Sequence, residues 1–279
     1  MPELPEVETV RRTLEPYVLN RPICRVEVLY PRALQDTSPK EFSKALEGSS
    51  FVELRRRGKY LLFEVSTGLY MVVHLRMTGR LIVVSSNQVP IEKHTAAIFQ
   101  FGEGSELRFV DQRKFGTINL LPPERLMDIR GLREMGPEPL GDEFTPRYLA
   151  RILKGRKAPI KSVLLDQRRI AGLGNIYADE ALFAAGIHPE RPGGDLTLRE
   201  TEELFHAVRS VLTDAVANQG TTFRDYRTGT GREGSFQNKL QVYGRKGEPC
   251  LRCGQALQHV RIGGRTSVFC PHCQGGNGK

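Results

Sequence analysis

The sequence predicts an α+β chain of two domains, strand-rich in its first half, helical in its second, and closed by a small metal-held ribbon. Three observations predict it. Short β-branched and aromatic runs alternate with turn clusters between residues 23 and 121, apolar residues recur three and four apart between 148 and 216, and four of the five cysteines crowd into 250–273. With 279 residues and 39% hydrophobic content the chain can bury substantial cores, which excludes disorder as a description of the whole.

The elements follow in order. Residues 5–18 read as a helix: Val7, Val10, Leu14 and Tyr17 share a stripe, Pro5 suits a first turn, and Glu6 and Glu8 complement the positive helix end. Strands are expected at 26–30, 60–65, 70–75, 81–84, 97–101 and 117–121, with turns such as 66–68 and 102–105 between them, the spacing of a sandwich or barrel. Cys24 is expected to pack as a small core residue. Proline, glycine and acidic residues gather over 122–146, so the first domain is drawn as 1–135 and a linker as 136–146. Helices are expected at 148–153, 160–165, 176–185 and 198–216, the last with Leu204, Val208, Val211, Leu212 and Val216 on one stripe. The helical domain is drawn as 147–239, and within it 221–234, glycine-rich and poor in apolar residues, is expected to be a mobile, exposed loop. The ribbon occupies 240–274, and 275–279 is expected to be a disordered tail.

A net charge of +9 favours a polyanionic partner, and residues 221–279 carry ten basic groups against three acidic. No run of eighteen apolar residues occurs, and Glu3, Glu6 and Glu8 stand where a signal peptide would be basic and then apolar. The expectation is a cytoplasmic protein without membrane association, acting as a monomer.

Cys250-Leu-Arg-Cys253, sixteen residues, then Cys270-Pro-His-Cys273 supplies four thiolates for one structural zinc, a closed sphere with no position for a catalytic water. His272 is then a bystander. Gly263-Gly264, between strand-like runs 259–262 and 266–269, reads as a hairpin turn that presents Arg261 and Arg265 for bidentate phosphate contacts. A second basic cluster, Arg151, Lys154, Arg156, Lys157, Lys161, Arg168 and Arg169, precedes Gly172-Leu173-Gly174-Asn175, a glycine turn whose following helix can hold a phosphate at its N-terminus. At the chain start, removal of Met1 leaves Pro2 as a secondary amine beside Glu3; a terminal amine titrates near about 8, so a neutral fraction exists to attack an electrophilic carbon. Taken singly, solvated arginines and an ordinary chain start explain these features as well.

Pro2-Glu3-Leu4-Pro5-Glu6-Val7-Glu8-Thr9, Arg57-Gly58-Lys59-Tyr60-Leu61, His74-Leu75-Arg76-Met77-Thr78-Gly79, Leu173 to Glu180 and the four-cysteine ribbon together resemble the bacterial formamidopyrimidine-DNA glycosylase family, in order from residue 2 to about 274. The resemblance implies an N-terminal β-sandwich with flanking helices and a C-terminal helix-two-turn-helix domain with a zinc finger. It implies a bifunctional base-excision repair enzyme that removes 8-oxoguanine and formamidopyrimidines from damaged double-stranded DNA and then cuts the strand. Pro2 would be the nucleophile, Glu3 would handle protons at the opening sugar, Lys59 would donate a proton in β-elimination, and Arg265 would serve δ-elimination, first as a phosphate clamp. Met77, Arg113 and Phe115 match side chains that fill the gap left by the flipped nucleotide; His94, Lys157 and Asn175 match phosphate contacts; and 221–234 matches a loop that closes over the lesion. An endonuclease VIII type with oxidised-pyrimidine preference shares several of these features, but 4–7 and the pair Arg113 and Phe115 favour the purine branch. A non-catalytic zinc-ribbon protein that binds damaged DNA explains the charge and the cysteines, though not Pro2-Glu3 or Lys59, and no aromatic RNA-binding motif supports an RNA-processing role.

Overall fold

The computed structural model describes residues 1–222 and 226–275. The chain forms two compact units, Met1–Arg133 together with Asn218–Gln237, and Glu134–Ala217 together with the chain from Asn238 onward. The segment Asn218–Gln237 thus groups with the strands, whereas chain order alone places it in the helical domain.

The first unit opens with α1 (Leu4–Val18), which begins on a capping box: the Glu3 carboxylate accepts from the Glu6 backbone and Glu6 Oε2 accepts from Glu3 N at 2.7 Å. Val7, Val10, Leu14 and Val18 make its buried stripe, while Tyr17, expected there, is exposed. Then come β1 (Ile23–Val28), β2 (Leu34–Gln35), α2 (Pro39–Leu46), β3 (Phe51–Arg57), β4 (Tyr60–Val65), β5 (Tyr70–His74), β6 (Gly79–Val84), β7 (Thr95–Phe101), β8 (Glu106–Asp111), β9 (Thr117–Leu121) and the short α3 (Arg130–Arg133). Two sheets, ordered β1-β7-β8-β6 and β2-β9-β5-β4-β3, are antiparallel except for the β2–β9 pair. Their apolar faces share one core, and Phe51 of one sheet lies 6.1 Å from Phe99 of the other, ring to ring. This is the expected sandwich.

Five elements escape the sequence reading: the short β2 and α3, and the longer α2, β3 and β8. Helix α2 carries a legible signal, the Ser38-Pro39-Lys40-Glu41 capping box, in which each terminal side chain accepts from the other's backbone N–H. Strand β3 ends in three arginines, and β8 alternates charged with apolar residues; both lack the composition of a strand. Yet β8 is buried on both faces. Leu107 and Phe109 face the core, while on the other face the Arg108 guanidinium donates to Glu106 and to the carbonyls of Val89 and Pro90, so the 85–94 connection covers it. Cys24 is exposed rather than packed, because β1 shifts register between Ile23 and Arg25 and keeps only Ile23 and Val26 inward.

The expected exposed loop is largely tied down in its described part. Thr221, Tyr226, Thr228, Gly229 and Gly234 are buried, and Tyr226 joins the sandwich core. Glu6 Oε1 accepts from Thr221 N at 2.8 Å, Gly229 N donates to Thr13 Oγ1 at 2.8 Å, and Val83 N donates to Gly229 O. Gly229 lies so close to α1 that a Cβ there would stand 2.6 Å from Leu14 side-chain carbons. The part of this loop at 223–225, and the tail beyond 275, lie outside the described residues.

The second unit contains α4 (Pro146–Leu153), α5 (Ile160–Leu165), α6 (Asn175–Ala184), α7 (Leu198–Ala217), and the hairpin of β10 (Gln258–Ile262) with β11 (Arg265–Phe269). The four helices lie where the periodicity places them. On α7 the buried line is Thr201, Leu204, Val208, Leu212 and Ala215, with Val211 and Val216 only half-buried at its edge. The ribbon does not stand apart: Phe183 of α6, Val242, Leu257, Val268 and two cysteines form one apolar cluster, and the Glu180 carboxylate accepts from the backbone N–H groups of Gln241, Val242 and Tyr243.

Arg108→Met should leave the buried Glu106 carboxylate without its counter-ion and cost about 3–5 kcal/mol in urea unfolding. The double change with Glu106→Leu should recover much of that loss, because an apolar pair carries no desolvation penalty.

Candidate active site and zinc centre

Pro2 and Glu3 are buried immediately before α1, with Met1 exposed ahead of them. Glu6 anchors the position from below, holding Glu3 N with one oxygen and Thr221 N with the other. Lys59 is buried at the tip of the β3–β4 hairpin, where Arg57 pairs with Tyr60 and Gly58 takes φ +54°. The pairing of β4 with β5 sets Tyr60 against His74, whose rings meet edge to face at 4.5 Å.

His74 belongs to this neighbourhood, although its motif alone gives it no chemical role. Burial first, then the Arg76 and Lys59 charges, pull its pKa down to about 3. It is therefore neutral at physiological pH, with Nδ1 accepting from Arg76 N at 3.0 Å and Nε2 carrying the proton.

Met77 and Phe115, expected to act at the surface rather than in the core, are 41% and 55% exposed. They line one cavity of about 590 Å³ with Met1, Arg76 and Lys114. Their two turns are joined by Asp111, whose importance the sequence does not reveal. Its Oδ1 accepts from Thr78 Oγ1 at 2.5 Å and Arg113 N at 3.3 Å, and its Oδ2 accepts from Gly116 N at 2.6 Å. The Arg113 guanidinium lies over the Phe115 ring at 4.9 Å. The turn carrying Met77 closes through Gly79 N to Leu75 O, so tightly that a Cβ on Gly79 would fall 2.4 Å from that oxygen. His94, at φ +73°, borders a separate small basic cavity of about 220 Å³ with Arg80, Lys93, Gln112 and Arg227.

On the second unit Lys157 is exposed in the α4–α5 connection, and Asn175 is the first residue of α6. The approach to α6 is shaped by Gln167, whose amide donates to Leu165 O and Leu173 O and accepts from Gly172 N, where φ is +75°. Asn175 Nδ2 donates to Thr266 O at 3.1 Å. The basic cluster is smaller than its sequence suggests. Lys161 is fully buried against Asp179 at 2.6 Å, and Arg168 and Arg169 both pair with Asp166. Arg261 and Arg265 are exposed on the ribbon hairpin, whose Gly263 and Gly264 both take positive φ, as a type I′ turn requires.

The four sulfurs of Cys250, Cys253, Cys270 and Cys273 lie within 4.8 Å of one another, with Cys250–Cys273 at 3.9 Å and Cys253–Cys270 at 3.5 Å. Tetrahedral Zn–S bonds of about 2.3 Å place sulfurs about 3.8 Å apart, so the residues fit one zinc. Backbone N–H groups of Arg252 and Cys273 point at Cys250 Sγ and Cys270 Sγ, as in metal knuckles. His272 is exposed and outside the set. The zinc is structural.

Fold and site together comprise a sandwich that buries Pro2-Glu3, the helices α4 to α7, and a thiolate-held hairpin. Three family models match in that order, the formamidopyrimidine-DNA glycosylase N-terminal domain (residues 1–118), its H2TH domain (135–227) and the zinc finger found in FPG and IleRS (247–275). The chain belongs to the formamidopyrimidine-DNA glycosylase family. It is 52% identical to the formamidopyrimidine-DNA glycosylase of Moorella thermoacetica over 94% of this chain and 95% of that one, and 48% identical to that of Desulforamulus reducens over 98% and 99%. Among solved structures, a Lactococcus lactis FPG mutant in complex with Fapy-dG containing DNA superposes with a TM-score of 0.91 at 38% identity, covering 98% of this chain and 99% of that one. The L. lactis protein with abasic-site DNA gives 0.91 at 37% over the same shares.

His74 has its folded pKa below its unfolded value of 6.5, so the unfolded chain takes up the proton first and stability falls as pH drops from about 6.5 toward about 3. In His74→Gln that part of the pH dependence of urea unfolding should disappear. Removing zinc with a chelator should release one equivalent of metal and unfold the ribbon cluster, read by near-ultraviolet circular dichroism and metal analysis.

Proposed function

We propose that this chain is a base-excision repair DNA glycosylase and AP lyase that removes oxidised purines, 8-oxoguanine and formamidopyrimidines, from double-stranded DNA. The observation that carries the reading is the buried Pro2-Glu3 pair at the head of α1 in a chain that matches this family end to end.

After loss of Met1 the neutral Pro2 nitrogen attacks C1′ of the flipped nucleotide, the C1′–base bond breaks, and the base leaves with a proton taken from solvent. The secondary amine nitrogen gives up its own proton and, as the sugar ring opens, forms a cationic C=N bond to C1′. Glu3 transfers the proton to the ring oxygen. The iminium acidifies the C2′ hydrogen; its loss expels the 3′ phosphate, and a second elimination expels the 5′ phosphate. Lys59 supplies a proton in the first elimination, and the Arg265 guanidinium stabilises the phosphate leaving in the second. Hydrolysis of the remaining iminium frees Pro2 as the amine and releases the sugar fragment as an aldehyde.

Met77, Phe115 and Arg113 fill the space vacated by the flipped nucleotide: two exposed apolar side chains to hold the stack open and a guanidinium for the widowed base. His94, Lys157 and Asn175 contact backbone phosphates and set the register on the duplex. The protein acts as a monomer in the cytoplasm, where its DNA substrate lies; among the described residues no helix is long and apolar enough to cross a membrane. A second lesion class enters the test because the L. lactis protein has also been solved with DNA containing an oxidised pyrimidine.

Borohydride trapping on a duplex with one 8-oxoguanine opposite cytosine should give a covalent adduct whose mass places the sugar on Pro2. Pro2→Gly and Glu3→Gln should lower the adduct strongly, by a hundredfold or more for an essential group, on the order of other catalytic-residue losses. A Met1-free, zinc-loaded sample that binds the duplex yet neither traps nor cleaves would defeat the purine reading. Adduct only with an oxidised pyrimidine would move the chain to the endonuclease VIII preference, and none with either lesion would leave a binding protein.

A further inference from the structure

The second unit contains a buried polar clamp on the zinc ribbon. Asp179 of α6 and Lys161 of α5 are both fully buried, with Oδ1 and Nζ 2.6 Å apart. Asp179 Oδ1 also accepts from Ser267 Oγ at 2.6 Å, and its Oδ2 accepts from Val268 N at 3.1 Å. Lys161 Nζ donates to Thr266 O at 3.2 Å, and the same carbonyl accepts from Asn175 Nδ2 at 3.1 Å. Three consecutive residues of β11, 266–268, are therefore held by α5 and α6 directly after Arg265.

Stability is a poor account of this arrangement. Two ions withdrawn from water cost more than an apolar pair of the same volume. What the ions add is direction, because their remaining donors and acceptors fix a backbone carbonyl, a backbone N–H and a hydroxyl of one strand. The zinc cannot do this, since its ligand on β11's continuation, Cys270, lies five residues beyond Arg265, roughly 16 Å along an extended strand. We propose that Asp179 and Lys161 are positioning residues for Arg265. They lock β11 against the start of α6 so that Arg265 and Asn175 present their donors as one rigid set. This rests on the reading of Arg265 as the group that assists the second elimination.

The test uses the full, zinc-loaded chain with Asp179→Asn and with the double change Asp179→Asn and Lys161→Met. On abasic-site DNA the single variant should shift products from β,δ- to β-elimination by roughly tenfold, a scale consistent with small misplacements of a catalytic group, while trapping at Pro2 changes little. In the DNA-free protein, amide exchange at 265–268 should speed up with zinc retained. The double variant, free of unpaired buried charge, should regain thermal stability but not the product ratio, since Thr266 O has lost the Lys161 donor. An unchanged ratio, or a ratio that recovers with stability in the double variant, overturns the proposal, and so does loss of zinc from Asp179→Asn. If the parent itself fails to trap or cleave, the glycosylase reading fails separately. Exchange at 265–268 then decides the clamp alone: faster exchange supports it, and unchanged exchange refutes it.

Discussion

Once Met1 is removed, Pro2 has a single covalent neighbour, so its place must be secured by bonds to whatever follows it. Glu6 does this. One carboxylate oxygen takes Glu3 N, closing the first turn of α1, and the other takes Thr221 N, which draws the start of a distant segment to the same spot. A terminal amine is entropically the freest group in a chain. Burial of Pro2 and Glu3, the apolar stripe of α1 in the sandwich core and the two Glu6 bonds hold the backbone at residues 2 and 3 in place.

The same unit holds its exposed tools by buried carboxylates. Asp111 joins the turn that carries Met77 to the turn that carries Arg113 and Phe115, so side chains that face solvent stand on a backbone that cannot drift independently. On β8, three residues earlier, Arg108 ties down the connection that leads to His94. Lys59 lies in the turn that leads into β4, whose first residue pairs with His74 on β5, and the neutral imidazole leaves the local positive charge to Lys59 and Arg76. In the second unit the pattern recurs at larger scale. Zinc closes the ribbon on itself, but Glu180 and Asp179, adjacent on α6, attach its entry and its second strand to the helices.

Much of this is legible in the sequence. The four helical periodicities of the second unit, the sandwich strands with clear alternation, the zinc spacing and the exposed character of Met77, Phe115 and Lys157 need only local pattern or motif. The departures share one cause. Composition groups Lys161 with a solvent-facing basic cluster, Tyr226 and Thr228 with a mobile loop, and Cys24 with the core, because it reports a residue's tendency and not its partner. The partner of Lys161 is eighteen residues away, that of Thr221 two hundred and fifteen, and the outward turn of Cys24 comes from a bulge.

Local sequence settles what depends on neighbours along the chain: helix starts at capping boxes, a hairpin at Gly263-Gly264, four thiolates in two knuckles and a proline beside a carboxylate at the chain start. Folding settles which charged side chains are buried and with whom, that His74 is neutral, that Asp111 fastens two turns, and that the segment after α7 returns to the sandwich. The division is physical. Backbone conformation is set by short-range sterics and hydrogen bonds, whereas the state of an ionisable or polar group depends on desolvation and on charges brought near it by folding.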